Sequence, residues 1–223
     1  MKKPVFIIAA MLLTISMMAQ KQIDDANAEV RNVGSFHGIK VSNGITVYLI
    51  QGNTEAVAVS ANEVEVRNKI KTRVENGILK IYYDEDDWKI WKNFTNKKSR
   101  AYVSVKDIDR IQASSGSDVR VEGLIKAGKL SMEASSGASI NGKLEASSLE
   151  VDQSSGSVIT ISGNISGNLT VEGSSGSVFR GYDLTVENCD AETSSGAGVQ
   201  VTVNKELTVK PPAEGTFIIK ETG

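Results

Sequence analysis

The stretch ASSGSDVRVEG, residues 113–123, decides the fold, because the chain restates its opening four more times. The later copies are ASSGASINGK (134–143), QSSGSVITISG (153–163), GSSGSVFRG (173–181) and TSSGAGVQV (193–201). The five Ser-Ser-Gly triplets end at Gly116, Gly137, Gly156, Gly176 and Gly196, at spacings of 21, 19, 20 and 20 residues. Self-similarity at a fixed period near twenty marks a solenoid or an array, in which each unit buries its apolar face only against its neighbours.

Counting outward from each triplet glycine gives the same pattern every time. Five residues before it stand Ile111, Met132, Val151, Val171 and Ala191; seven before stand Asp109, Leu130, Leu149, Leu169 and Cys189. Three after stand Val119, Ile140, Ile159, Phe179 and Val199; five after stand Val121, Gly142, Ile161, Gly181 and Val201. The positions between are mostly polar. Alternation of this kind marks strands with one buried face. Each repeat therefore reads as strand, corner, strand and a variable return. Twenty residues at ~3.3 Å each trace one coil, and coils stack as parallel strands ~4.8 Å apart. The fold class is all-β, a parallel β-solenoid with coils of about twenty residues, right-handed by the rule for parallel crossovers. Glycine supplies the positive φ of the corner, and the small serines of the triplet are expected to stack closely and hydrogen-bond locally.

A sixth copy stands upstream in HGIKVSNGITVYLIQG (37–52). With Gly44 as its corner, Ile39, Val47 and Leu49 fall into the same register. The gap from Gly44 to Gly116 makes residues 33–110 a first coil with a long excursion. Within it KTRVENGILKIYY (71–83) reads as a hairpin turning at Asn76-Gly77, and SRAYVSV (99–105) as a strand leading back. Residues 111–223 form the repetitive body, and its C-terminal cap contains Pro211-Pro212, which cannot donate to a ladder.

Residues 1–19 read as an export signal: Lys2 and Lys3, an apolar run from Val5 to Met18, and Ala19 before a polar linker (20–32). The run is too short to span a membrane, and no cysteine follows it to carry a lipid anchor. Loss of the leader removes Lys2 and Lys3 and leaves 23 basic against 27 acidic residues among 204, a balance with no general attraction to nucleic acid or anionic lipid. Cys189 is the single cysteine, so no internal disulfide forms. It occupies an inward position and is expected to be a small buried hydrophobe.

The leader, the FHGIKVSNGITVYLIQG opening and the serial SSG corners together resemble the bacterial family described as putative auto-transporter adhesin, head GIN domain. The resemblance runs from about Val33 to the end. It implies an exported protein of the Bacteroidota type with a β-solenoid body, in the periplasm or on the outer cell surface. "Adhesin" in that description carries a likeness of fold and no mechanism. No large C-terminal barrel is evident, so self-transport across an outer membrane is not expected.

No catalytic set is expected. A serine nucleophile needs a base, and the chain has one histidine, His37, read as a polar residue at a strand end. Four before each corner glycine stand Gln112, Glu133, Asp152, Glu172 and Glu192. The four acids are weak candidates for a cation ladder, set against the plainer reading of a solvated outer face. No basic set is identifiable beside them, Arg120 and Arg180 standing isolated, which argues against a polysaccharide-active enzyme. The segment YYDEDDWKIWKNFTNKKSRAY (82–102) holds six of the twelve aromatic residues. Trp88, Trp91, Tyr82 and Tyr83 are the candidate ligand-binding residues, because flat rings beside polar groups suit sugars or a partner protein; the alternative is packing against the solenoid. No cofactor is expected. The function expected is a non-enzymatic, adhesin-like module that presents a stiff face to an envelope glycan or a cell-surface protein. A structural envelope component assembling as a homo-oligomer through solenoid ends or edges is the alternative.

Overall fold

The computed structural model describes residues 25–84, 98–210 and 215–221. The leader at 1–19, Trp88, Trp91 and Pro211-Pro212 lie outside the described residues. Along the chain come β1 (Glu29–Arg31), β2 (Gly38–Val41), β3 (Thr46–Gln51), β4 (Ala56–Ser60), a short helix α1 (Val64–Lys69), β5 (Ile70–Glu75), β6 (Ile78–Tyr83) and β7 (Arg100–Val105). The body follows as β8 (Arg110–Ala113), β9 (Asp118–Ala134), β10 (Ser139–Gln153), β11 (Val158–Gly173), β12 (Val178–Thr193), β13 (Gly198–Lys210) and β14 (Thr216–Glu221).

The body is the expected stacked parallel solenoid. Ile140 pairs with Val119 below and Ile159 above, and Leu149 with Leu130 and Leu169. All six are buried in one continuous core. The register of the upstream copy also holds, since Ile39 pairs with Ile111, Val47 with Val119 and Leu49 with Val121. The return of each coil is not a loop. β9 to β12 run unbroken for 15 to 17 residues, bending at register shifts such as Asn141/Lys143 and Ala146/Ser148.

Each coil contributes residues to two sheets. Residues before the corners form a leading sheet in the order β5, β6, β2, β8, then the later halves of β9 to β13. Residues after the corners form a trailing sheet in the order β1, β4, β7, β3, then the earlier halves of β9 to β13, and β14. The excursion therefore supplies a coil of its own. β6 pairs parallel with β2 and β7 parallel with β3, so these two strands stack beneath the coil that precedes them in sequence. Asn76 (φ 51°) and Gly77 (φ 75°) make the hairpin turn into it.

The corners differ in detail from expectation. Ser115 (φ 52°) and Gly116 (φ 70°) are both left-handed, as are the equivalent pairs of the other four coils, which is the pattern of a two-residue primed turn. Nothing lies within 4 Å of a Cβ built on any of the five glycines, so φ alone selects glycine there and no close approach is involved. The ladder continues around the turns through Gly116 N–H to Ser136 O, Gly137 to Ser155 and Gly156 to Ser175, each 3.0 Å. The serines that knit the coils are those after the glycine. Buried Ser157 Oγ donates to the Ala134 carbonyl (2.9 Å) and Ser177 Oγ to that of Gln153 (3.1 Å). The second serine of each triplet is exposed.

Candidate binding face on the leading sheet

Parallel pairing carries each outward position into a column running up the stack, because in-register residues point to the same side. On the leading sheet one column reads Arg73 on β5, Lys80 on β6, Lys40 on β2, Gln112 on β8, then Glu133, Asp152, Glu172 and Glu192 on β9 to β12, and Lys210 on β13. The acidic run was legible from the repeat. The cations that precede it were not, apart from Lys40, which stands four before Gly44. The expectation that no basic set accompanies the acids is therefore overturned. Lys80 and Arg73 enter the column because a coil without a Ser-Ser-Gly corner stacks beneath β2.

The next outward column adds Arg110, Ser131 and Glu150. The middle of the two columns, Lys80, Lys40, Gln112 and Glu133 with Arg110, Ser131 and Glu150, lines an open groove of about 660 Å³ that also touches His37, Glu75, Asn76, Asp109 and Lys129. Glu75 bridges two of the cations, meeting Arg73 Nε at 2.7 Å and Lys80 Nζ at short range. The Lys80 hydrogen bond, with Arg73 and Lys80 charge beside it, holds the Glu75 carboxyl below its ordinary range. Gln112 Nε2 donates to Glu133 Oε2 (2.5 Å), a neutral link where the column changes sign. Lys40 and Arg110 are exposed and without an ion-pair partner among the described residues.

His37 Nδ1 lies 2.9 Å from Asp109 Oδ1. Its Nε2 faces the hairpin turn, where a Cβ on Gly77 would lie 2.2 Å away, so the ring is held between a carboxylate and backbone. This imidazole has a structural partner in Asp109. The four carboxylates of the column line up as read, yet among the described residues no three His, Cys, Asp or Glu side chains converge on a point that could hold a metal ion.

The aromatic candidates separate. Tyr82 is half-buried on the outer side of β6, opposite Lys71 of β5. Tyr83 points inward, and its hydroxyl lies 2.6 Å from Ser99 Oγ. Burial pushes its pKa up, with the Ser99 bond opposing. Its ring is core and presents no surface to a ligand, which corrects its place among the binding residues. Tyr102, grouped in sequence with these rings, instead stacks on Tyr48 of the trailing sheet with centroids 5.4 Å apart, and Arg120 lies 5.9 Å from the Tyr48 ring centroid. Cross-strand pairing of β3 with β7 brings them together, a contact invisible in the order of the residues.

A stack of parallel coils knitted through corner serines, with open charged outer faces, defines the class: a parallel β-solenoid repeat protein. The family model described as putative auto-transporter adhesin, head GIN domain, matches residues 35–223, and the chain belongs to this family. No curated protein matches it. Among solved structures it is similar to a putative adhesin from Bacteroides fragilis, at TM-score 0.70 and 14% identity, covering 88% of this chain and 94% of that one. It is also similar to a putative adhesin from Parabacteroides merdae (TM-score 0.58, 14% identity, 88% and 96% covered). A structure from Parabacteroides distasonis described as a putative lipid binding protein is similar as well (TM-score 0.57, 13% identity, 89% and 98% covered). At these identities the likeness is one of fold. The family and these adhesin-like neighbours are described as adhesins rather than as enzymes. Among the described residues no helix is long and apolar enough to cross a membrane.

Proposed function

We propose that the chain is an exported, non-enzymatic, adhesin-like interaction module that holds a polar partner, an envelope glycan or a cell-surface protein, on the outer face of the leading sheet. The observation that carries this reading is the open groove of about 660 Å³ in which Lys40 and Arg110 stand exposed beside the carboxylates of Glu133 and Glu150. Charges of both signs on a wide rigid strand surface suit an extended hydrophilic partner; a small apolar ligand needs an enclosed apolar pocket. The expected part of Trp88 and Trp91 in binding is tested in the same experiment.

The experiment is a binding screen of envelope extracts and purified glycans against the chain produced with its own leader. The expected result is saturable binding that Lys40→Glu with Arg110→Glu abolishes and that Trp88→Ala with Trp91→Ala weakens. Binding indifferent to the charge reversals removes this face, and turnover of any polysaccharide overturns the non-enzymatic reading. A structural role through the stack end has one observation in its favour. Among the described residues β14 pairs with residues 198–203 of β13, and Leu207 and Val209 beyond them are incompletely buried. Filaments in light scattering at rising concentration support that role, and their absence removes it.

A further inference from the structure

We propose that the partner of the leading-sheet face is a second copy of this chain, packed face to face with its stack reversed. The inference rests on the reading of that face as a contact surface and names its occupant. Its basis is the order of charges in one column: Arg73, Lys80, Lys40, Gln112, then Glu133, Asp152, Glu172, Glu192. Three cations and a neutral amide are followed by four carboxylates, one residue per strand, and Lys210 of β13 then follows Glu192 in register, outside the eight positions that the two-fold pairs. Within one chain this arrangement is unfavourable, since like charges directly opposite on neighbouring strands repel. Glu75 relieves Arg73 and Lys80 in part, and among the described residues Lys40 has no ion-pair partner.

A two-fold axis parallel to the strands, lying between β8 and β9, keeps each residue's position along its strand and reverses the order of strands. The column then lies on its own mate. Lys40 faces Asp152 of the second copy, Lys80 faces Glu172, Arg73 faces Glu192, and Gln112 faces Glu133. Symmetry repeats each pair, as an isologous interface requires. In the neighbouring column Arg110 comes opposite Ser131 and one strand from Glu150. The other face-to-face two-fold, with its axis along the stack, sets Lys40 against Lys40 and every carboxylate against itself. Charge therefore selects one arrangement. Exposed ion pairs are individually weak and act here as a network, so the association is salt-sensitive.

Sedimentation velocity on the full chain, at about 20 mM and about 500 mM salt, tests this. The expected result is a dimer at low salt that dissociates at high salt. Lys40→Glu and Asp152→Lys each weaken it by about tenfold or more. The two changes in one chain restore it, and so does an equimolar mixture of the two single variants. The restored species also shows that the substitutions leave the fold intact. A monomer at low salt across the accessible concentrations, a dimer that neither change weakens, or failure of the double variant to recover overturns the proposal. Glycan binding that persists in a strictly monomeric chain sinks this inference and leaves the proposed function standing. A Lys40–Asp152-coupled dimer that binds no other envelope component does the opposite to the glycan reading.

Discussion

The ring of Phe179 fills the space that a side chain at Gly181 would need: a Cβ built there lies 2.8 Å from Phe179 Cε1 and 3.1 Å from the Gln200 carbonyl oxygen. Phe179 is fully buried at a position that carries Val or Ile in the other body coils, so the extra volume is accommodated two residues further along the same strand. Gly181→Ala is expected to destabilise by about 1–3 kcal/mol through overpacking. Adding Phe179→Ile, which returns the coil to the volume its neighbours use, is expected to recover most of that loss. Urea midpoints of the two single variants and the double variant measure the coupling; additive losses count against this pairing.

At the corners, Gly156→Ala places a side chain at φ 68° in otherwise open space and is expected to cost about 1 kcal/mol from backbone strain alone. Ser155→Asn goes the other way. It imports the Asn-Gly pair that the chain already uses at Asn43-Gly44 and Asn76-Gly77, and a gain of about 0.5 kcal/mol is expected because asparagine tolerates the left-handed region. Thermal midpoints that fall in both variants contradict the φ-based account.

Tyr102 Oη donates to Asp25 Oδ2 (2.9 Å), and Arg100 lies 3.4 Å from the same oxygen, tying the N-terminal segment to β7. Burial opposes ionisation of Asp25, but the bonds from Tyr102 and the Asn27 backbone and the Arg100 charge hold its carboxyl below the ordinary 3.8. Burial, and then the Asp25 bond and charge, push Tyr102 up to about 12. A lowered carboxyl contributes in full above its ordinary pKa and is lost as pH falls through the lowered value. A raised phenol contributes below 10 and is lost as pH rises towards 12. The tie should therefore hold across neutral pH and loosen at both extremes. In Asp25→Asn, tryptic cleavage at Arg31 should quicken at neutral pH, and one tyrosine should titrate nearer 10 by ultraviolet absorbance. An unchanged titration rules out the Asp25 contribution.

Cys189 is 3% exposed, and burial followed by the Asp190 charge pushes its thiol up to about 12. Reaction requires thiolate and access, so the native protein should stay unlabelled by a thiol reagent at pH 8 and take up one equivalent in denaturant. Rapid native labelling would show that this coil opens locally.

Much of this architecture follows from the residues in order. Alternation about each Ser-Ser-Gly assigns Leu130, Leu149, Leu169 and Cys189 to the inside and Glu133, Asp152, Glu172 and Glu192 to the outside, because strand side chains alternate faces whatever their partners. The corner glycines are legible for the same reason: positive φ is a demand of the local chain. Three things needed the assembled structure. That Ser117, Ser157 and Ser177 knit the coils depends on which carbonyl of the preceding coil each hydroxyl reaches. That Tyr83 is core while Tyr82 faces out depends on which side of β6 is covered. That Arg73 and Lys80 precede the acidic column depends on β6 stacking beneath β2, against the order of the chain. Local alternation determines which way a side chain points, whereas strand order comes from long-range pairing between segments that carry no shared motif, and this face takes its charge order from that pairing.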